Sequence, residues 1–200
     1  MINSINIGIP MLQPPRAVAS GISFVGSGTA IDVGRTSGDY SFAYANLSGA
    51  PAIQADDFAL VSYAASKVTD QIYTPPTGFT LVPGTDLYFA DTFSIQHQVW
   101  YRKLDGSETA INLPFSNNAQ AATASGIMVF RGVNTVTPLD VAATTAVGGN
   151  TSIPNPPSIT PATAGAWVVV TGVAGNDIVA VYTNPGDLNS SPNHFISVTS

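Results

Sequence analysis

The sequence predicts an all-β protein: an antiparallel β-sandwich, jelly-roll-like, preceded by an extended N-terminal arm. Short apolar runs are separated by frequent turn residues, with 18 Gly and 15 Pro among 200 residues, which is typical of strands joined by loops. The acidic residues are almost all Asp, a turn former, and Glu108 is the only Glu. This length suits one sandwich, so we divide the chain into an arm, residues 1–20, and a sandwich domain, residues 21–200.

The arm carries an alternating apolar pattern followed by prolines. Alternation of isoleucine with polar or small residues indicates a strand, and the prolines then block regular strand pairing. Two interpretations stay open: a first strand packed on its own domain, or an arm laid over a neighbouring subunit. The residues expected to contact that neighbour are Ile5, Ile7, Ile9, Pro10, Leu12, Pro14 and Pro15.

Strand candidates and turn signals alternate through the rest of the chain. Residues 21–25 and 29–33 are expected to form a hairpin around Gly26-Ser27-Gly28. Period two places three aromatic residues on one face of the next strand: Tyr40, Phe42 and Tyr44. Further strands are predicted at 57–65, 79–82, 87–104 (as one bent strand or two), 109–115, 126–131, 166–173, 178–182 and 195–199.

Helix signals are poor, since residues 119–124 are the one helix-friendly patch and hydroxyl residues weaken it. Residues 144–165 are predicted to form a long loop. The core is expected to include Phe58, Leu60, Val99, Tyr101, Ile127, Val129, Val168 and Val170.

The surface is predicted to be poor in charge. Charged residues make up 9% of the chain, and the formal net charge is −6. Six scattered Lys and Arg residues form no basic stripe, which argues against nucleic-acid binding. No apolar run approaches the length of a membrane span, so no membrane partner is expected. So little charge gives a free monomer little colloidal protection, which favours a homo-oligomer, with a trimer preferred.

No cofactor or metal site is predicted. The chain has no cysteine, which excludes disulfides and thiolate ligands. Several carboxylates offer the oxygen atoms that calcium prefers, but their spacing matches no calcium loop. They are Asp56, Asp57, Asp70, Asp86 and Asp91.

Catalytic residues are not predicted either, so we expect a protein that is not an enzyme. Strand alternation places His97 on one face with Ile95 and Val99, as an ordinary strand histidine. No Gly-x-Ser-x-Gly sequence positions a nucleophile beside it, and no two Asp residues stand out for glycoside hydrolysis.

Aromatic residues leave a binding function open, because rings on a lectin platform stack on sugars. The candidates are Tyr63, Tyr73, Tyr88, Trp100, Tyr101 and Tyr182. Against this, Trp100 and Trp167 are predicted to be core residues, since one lies in a strand and the other begins the most apolar run.

Five short motifs follow one another between residues 76 and 140. They are Pro76-Thr77-Gly78-Phe79-Thr80-Leu81, Tyr101-Arg102-Lys103, Gly106-Ser107-Glu108, Phe130-Arg131-Gly132-Val133-Asn134 and Thr137-Pro138-Leu139-Asp140. In this order, over about residues 55–175, the sequence resembles a family of phage virion β-sandwich proteins.

The resemblance implies a component on the surface of a phage particle: a capsid decoration (cement) protein, a head fibre or a tail-fibre module. The implied partners are the major capsid protein or other virion proteins. The family offers no agreed catalytic residues. We therefore predict a decoration protein that binds and stabilises the head shell through its arm and its sandwich surface. A fibre module that binds a host glycan is the alternative.

The motifs also predict structural roles. Gly132 is expected to permit a tight turn out of a buried strand, and Pro138 to fix the start of the next segment. Arg131 is expected to form a bidentate pair with Asp140 that ties this loop down.

A second pair is expected across the Asp105-Gly106 turn, a strong hairpin signal. Glu108 lies just after this turn and is predicted to bind Arg102 or Lys103 across it.

Overall fold

The structure is a computed structural model that describes residues 2–9, 21–33, 39–49, 52–66, 68–70, 72–90, 94–114, 122–147, 157–175 and 197–198. Within these residues the regular secondary structure is β-strand, apart from one turn of 3₁₀ helix at Tyr44–Asn46. The strands are β1 (Ile2–Ile9), β2 (Ser23–Val33), β3 (Tyr40–Ala43), β4 (Phe58–Ser66), β5 (Thr80–Leu81), β6 (Leu87–Phe89), β7 (Ile95–Lys103), β8 (Ala110–Leu113), β9 (Ala122–Arg131), β10 (Val141–Val147), β11 (Trp167–Gly175) and β12 (Ser197–Val198). The predicted all-β class is confirmed.

The strands pack as layers on the two faces of a central sheet. That sheet runs in the order β2-β9-β4-β7-β5, and β6 also pairs with β7. One face packs on the two-stranded sheet β3-β8, and the other packs on the four-stranded sheet β10-β1-β11-β12. The described pairings are antiparallel except for β11 with β12. The architecture is therefore a β-sandwich with a small extra layer.

Strand β4 lies at the centre of the molecule, and all nine of its residues are buried. Phe58 and Leu60 pack toward the four-stranded sheet, in a cluster with Val169 of β11. On the opposite face Tyr63 stacks on Trp100 of β7, with ring centroids 4.8 Å apart. A strand buried on both faces has a nearly continuous apolar sequence instead of an alternating one, as Phe58–Ser66 does.

The aromatic face predicted for the third strand is confirmed, because Tyr40, Phe42 and Tyr44 are all buried in the core cluster beneath β3 and β8. The 87–104 region forms two strands that pair with each other, β6 and β7.

The predicted hairpin around Gly26-Ser27-Gly28 was wrong. The segment lies inside one continuous strand, β2, which pairs with β9 along its length. The glycines have other uses there: the register shifts between Phe24 and Gly26, as at a β-bulge, and Gly28 leaves room for the Phe42 ring. Glycine inside a strand often marks a bulge or a close approach of another group.

The hairpin predicted at Asp105-Gly106 was also wrong, because the strands before and after the turn do not pair with each other. The chain does turn there, and Gly106 has a φ of 89°. The returning strand β8 then leaves the central sheet and pairs with β3.

Two parts of the predicted core were wrong. In β11 the buried residues are Val169, Thr171 and Val173, whereas Val168 is half-buried and Val170 is 41% exposed. Trp167 is 37% exposed, although its ring contacts Phe130 edge-on at 6.1 Å. Residues 167–173 are mostly apolar on both faces of β11, but only the face of Val169, Thr171 and Val173 is buried. Hydrophobicity alone therefore could not show which of the alternating residues point into the core.

We expect Gly28→Ala to destabilise the protein by about 1–3 kcal/mol, as overpacking does in a tight core. A Cβ at this position would lie 2.2 Å from the Phe42 ring. Chemical denaturation of the wild type and the variant measures the loss. In a Phe42→Leu background the same substitution should cost much less, and an equal cost in both backgrounds would show that Phe42 is not the cause.

Candidate functional site

A serine and a histidine form a buried pair between the central and four-stranded sheets. Ser62 of β4 and His97 of β7 approach to 2.9 Å between Oγ and Nε2. Strand alternation places His97 on the same face as Ile95 and Val99, as predicted. This pair resembles part of a nucleophilic site and was not predicted from the sequence, because Ser62 and His97 are 35 residues apart.

The pair lacks two features of a catalytic triad. A triad has a carboxylate on Nδ1, and Nδ1 of His97 is buried without a partner in the described part of the chain. Both side chains are buried, with His97 fully so. This burial lowers the pKa of His97 to about 3, because desolvation disfavours the charged ring. The geometry is that of a neutral, structural contact.

A second buried polar group lies on the other face of β7. Gln96 and Gln98 both donate an amide N–H to Oδ1 of Asp86, at 2.5 and 2.8 Å. Both glutamines are fully buried. The alternating Gln-His-Gln sequence within a buried strand is the signal that could have revealed them. The carboxylate fastens the segment before β6 to the central sheet.

The partner predicted for Arg131 was wrong. Its guanidinium binds Asp57 in a bidentate pair, with Nε–Oδ1 and Nη2–Oδ2 distances of 2.8 Å. These bonds raise the pKa of Arg131. Asp57 is fully buried at the start of β4 and also accepts the Gln54 N–H. Because β4 and β9 are neighbours, Phe58 lies opposite Phe130, and the residues next to them meet.

Asp140 has another role. Its Oδ2 accepts the backbone N–H groups of Ala162 and Thr163. The pKa of this carboxyl group is lowered, mainly by hydrogen bonds from Thr163. Gly132 has a φ of 83°, a conformation that favours glycine, and Pro138 lies half-buried between β9 and β10.

Of the two partners considered for Glu108, the structure has Arg102, with an Nη2–Oε1 distance of 2.7 Å. Glu108 also accepts the backbone N–H groups of Asp105 and Gly106, so it closes the turn. Lys103 binds Asp56 instead.

The first part of the predicted arm belongs to a sheet of its own chain. Ile2–Ile9 forms β1, between β10 and β11. The register places Ile5, Ile7 and Ile9 opposite Thr171, Val169 and Trp167. This corresponds to the first of the two interpretations, a strand of the domain. The remaining arm positions lie outside the described residues: Pro10, Leu12, Pro14 and Pro15.

The four-stranded sheet that contains β1 is free of charge. Its strands β1, β10, β11 and β12 include no Asp, Glu, Lys or Arg. Its outer face carries the exposed Val170 and Gly172 on β11 and the exposed Ala142 on β10. An antiparallel sheet with one face in water ordinarily alternates apolar and polar residues. In the register, Asn6 of β1 lies opposite Val170 of β11 and Thr144 of β10, so the strands of this sheet combine small apolar residues with polar residues that carry no charge.

The aromatic candidates that the structure describes do not form an exposed platform. Tyr63, Tyr73 and Trp100 are buried in the core. Tyr88 and Tyr101 are half-buried, and Tyr182 lies outside the described residues. Among the residues that the structure describes, no three His, Asp or Glu side chains are grouped as a metal site. Nor does any helix in this part of the chain have the length and apolar character to cross a membrane.

Comparisons with protein-family models, with curated proteins and with solved structures found no match to this chain.

We expect Arg131→Ala to lower the free energy of unfolding by about 3–5 kcal/mol, because it leaves the buried Asp57 carboxylate without its counter-charge. The matched control is Lys103→Ala, which removes an exposed ion pair with Asp56 and should cost less than about 0.5 kcal/mol. Urea denaturation of the three proteins measures both effects. Equal losses of unfolding free energy in the two variants would show that the buried pair contributes no more than the exposed one.

Acid should weaken the fold through His97. Its pKa falls from 6.5 in the unfolded chain to about 3 in the folded protein. The unfolded state therefore binds an extra proton as the pH falls below 6.5, and stability is progressively lost toward pH 3 by about 1.4 kcal/mol per pH unit. Unfolding measured between pH 7 and 5 should show the slope growing toward this value as the pH falls below 6.5. His97→Gln should lower the slope by the equivalent of about one bound proton. An unchanged slope would show that His97 is not the group responsible.

Proposed function

We propose that this chain is a non-enzymatic structural protein of a phage virion, a decoration protein that binds the head shell. The observation that carries the proposal is the charge-free four-stranded sheet. A single exposed valine is ordinary on a protein surface. Here Val170 belongs to a sheet in which none of the four strands carries a charged residue, in a chain whose net charge is −6.

The mode of attachment follows from the chemistry of this face. Val170, Gly172 and Ala142 are small, so a partner can approach the backbone closely over a broad area. Apolar contact then contributes about 25 cal/mol per Å² of apolar surface removed from water. Without charges there is no desolvation penalty for buried ions. Such a surface suits the seam between capsid subunits, and residues 10–20 would add a second contact.

Other features support a structural role. The one Ser–His pair in the described residues is buried and lacks an acid. The ion pairs described above tie turns to strands, as in Arg131 with Asp57 and Arg102 with Glu108. The partners we propose are the major capsid protein or other virion proteins, at the particle surface. A glycan-binding fibre module lacks a supporting observation, since its best aromatic candidates lie in the core.

The proposal is tested by adding purified protein to undecorated shells of the phage that encodes it and measuring the bound fraction by co-sedimentation. We expect saturable binding by the wild type. Val170→Lys should weaken it at least tenfold, because it places an unpaired charge in the contact. The matched control is Val136→Lys, at a residue that is 87% exposed in the loop between β9 and β10. It should bind like the wild type.

Two outcomes would overturn the proposal. One is a wild-type protein that does not sediment with shells but is retained on a glycan matrix, which would favour the fibre module. The other is equal binding by the two lysine variants, which would show that shell attachment does not use this face. Melting curves of both variants establish that each is folded.

A further inference from the structure

Strand β2 is an edge of the central sheet, because β9 covers one side of it and no described strand pairs along the other. An isolated bridge between Ser27 and Ser48 occupies this outer side at one point. Beyond that bridge the strand continues for six residues to Val33. An open strand edge presents a row of backbone donors and acceptors to any partner.

The bridge fixes which residues point outward. The Ser48 N–H donates to the Ser27 carbonyl at 2.7 Å, so the backbone groups of Ser27 face away from β9. From Gly26 to Val33 the register with β9 runs without a shift. Residues in a strand alternate in direction, and so the N–H and C=O groups of Thr29, Ile31 and Val33 face the open side.

Space is available next to this edge. A groove of about 590 Å³ lies between β2 and β3, and Thr29, Ile31, Ser41, Phe42 and Asn46 are among its lining residues. None of the lining residues carries a charge. Ile31 is 57% exposed there. The groove therefore offers an uncharged, partly apolar wall to an incoming extended chain.

We propose that a second copy of this chain occupies this edge, with the two β2 strands paired antiparallel about a two-fold axis at Ile31. The register sets Ile31 against Ile31 of the second copy, and Thr29 against its Val33. All three outward residues of each strand are then bonded, and Ser27 keeps its bridge to Ser48.

The second copy fits better than an unrelated strand because the edge is complementary to itself. A register centred on residue 31 uses all three outward residues after the bridge. It also sets Asp32, the only charged residue of 28–33, against Ala30 of the second copy, so the two acids do not face each other. Strand addition of this kind takes its affinity from main-chain hydrogen bonds, and the exposed Ile31 side chains add an apolar contact.

Cysteine cross-linking tests the register directly, because the native chain has no cysteine. A hydrogen-bonded antiparallel pair separates Cα atoms by about 5.5 Å, within the range that a disulfide spans. Ile31→Cys should therefore give a covalent dimer under mild oxidation. Thr29→Cys should not, since the two Thr29 positions would lie roughly 14 Å apart along the strands. A mixture of Thr29→Cys with Val33→Cys should cross-link.

The control for chance collision is Val136→Cys, exposed on a loop; Ile31→Cys should cross-link at least tenfold faster. Light scattering should give the wild type about twice the 20.6 kDa of one chain. Ile31→Pro, which removes the central N–H and is tolerated at a sheet edge, should be a folded monomer by scattering and melting. A monomeric or trimeric wild type, or self-linking by Thr29→Cys, would overturn the proposal.

Discussion

The fold depends on the double burial of one strand. β4 lies in the middle of the central sheet, and both of its faces are covered. β4 therefore contributes to two cores: its Tyr63 packs with Trp100 of β7 in one, and its Phe58 and Leu60 pack in the other. Every other layer is placed by this requirement. The two-stranded sheet β3-β8 closes the first core, and the four-stranded sheet closes the second.

Burial in these cores makes a polar group that lacks a hydrogen bond energetically unfavourable. Ser62, His97, Gln96 and Gln98 are all buried within the same two strands. Each is bonded at least once, His97 to Ser62 and the two glutamines to Asp86. Buried polar groups with defined partners penalise any other strand register. The Ser62–His97 bond thus helps to specify the pairing of β4 with β7, and the two bonds to Asp86 fix the segment before β6 against β7.

The sequence was sufficient to predict the all-β class, the aromatic face of β3 and the buried strands around Phe58 and Ile127. It failed where one local signal serves two structures. Glycines at 26 and 28 indicate a turn, yet they form a bulge and a cavity for Phe42. The Asp105-Gly106 turn is real, but the layer to which β8 returns depends on distant contacts. The same limit applies to Arg131, whose partner Asp57 is 74 residues away.

The position of β1 has a consequence for synthesis. Its neighbours are β10 and β11, and Ile2 lies opposite Ala174, which is 174 − 2 = 172 residues later. At a translation rate of about 5–20 residues per second, β1 leaves the ribosome roughly 10–35 seconds before its partner strand β11. The central sheet can assemble during that interval, whereas the charge-free sheet is completed last. During that interval the isoleucines of β1 lack the neighbouring strands that flank them in the folded protein.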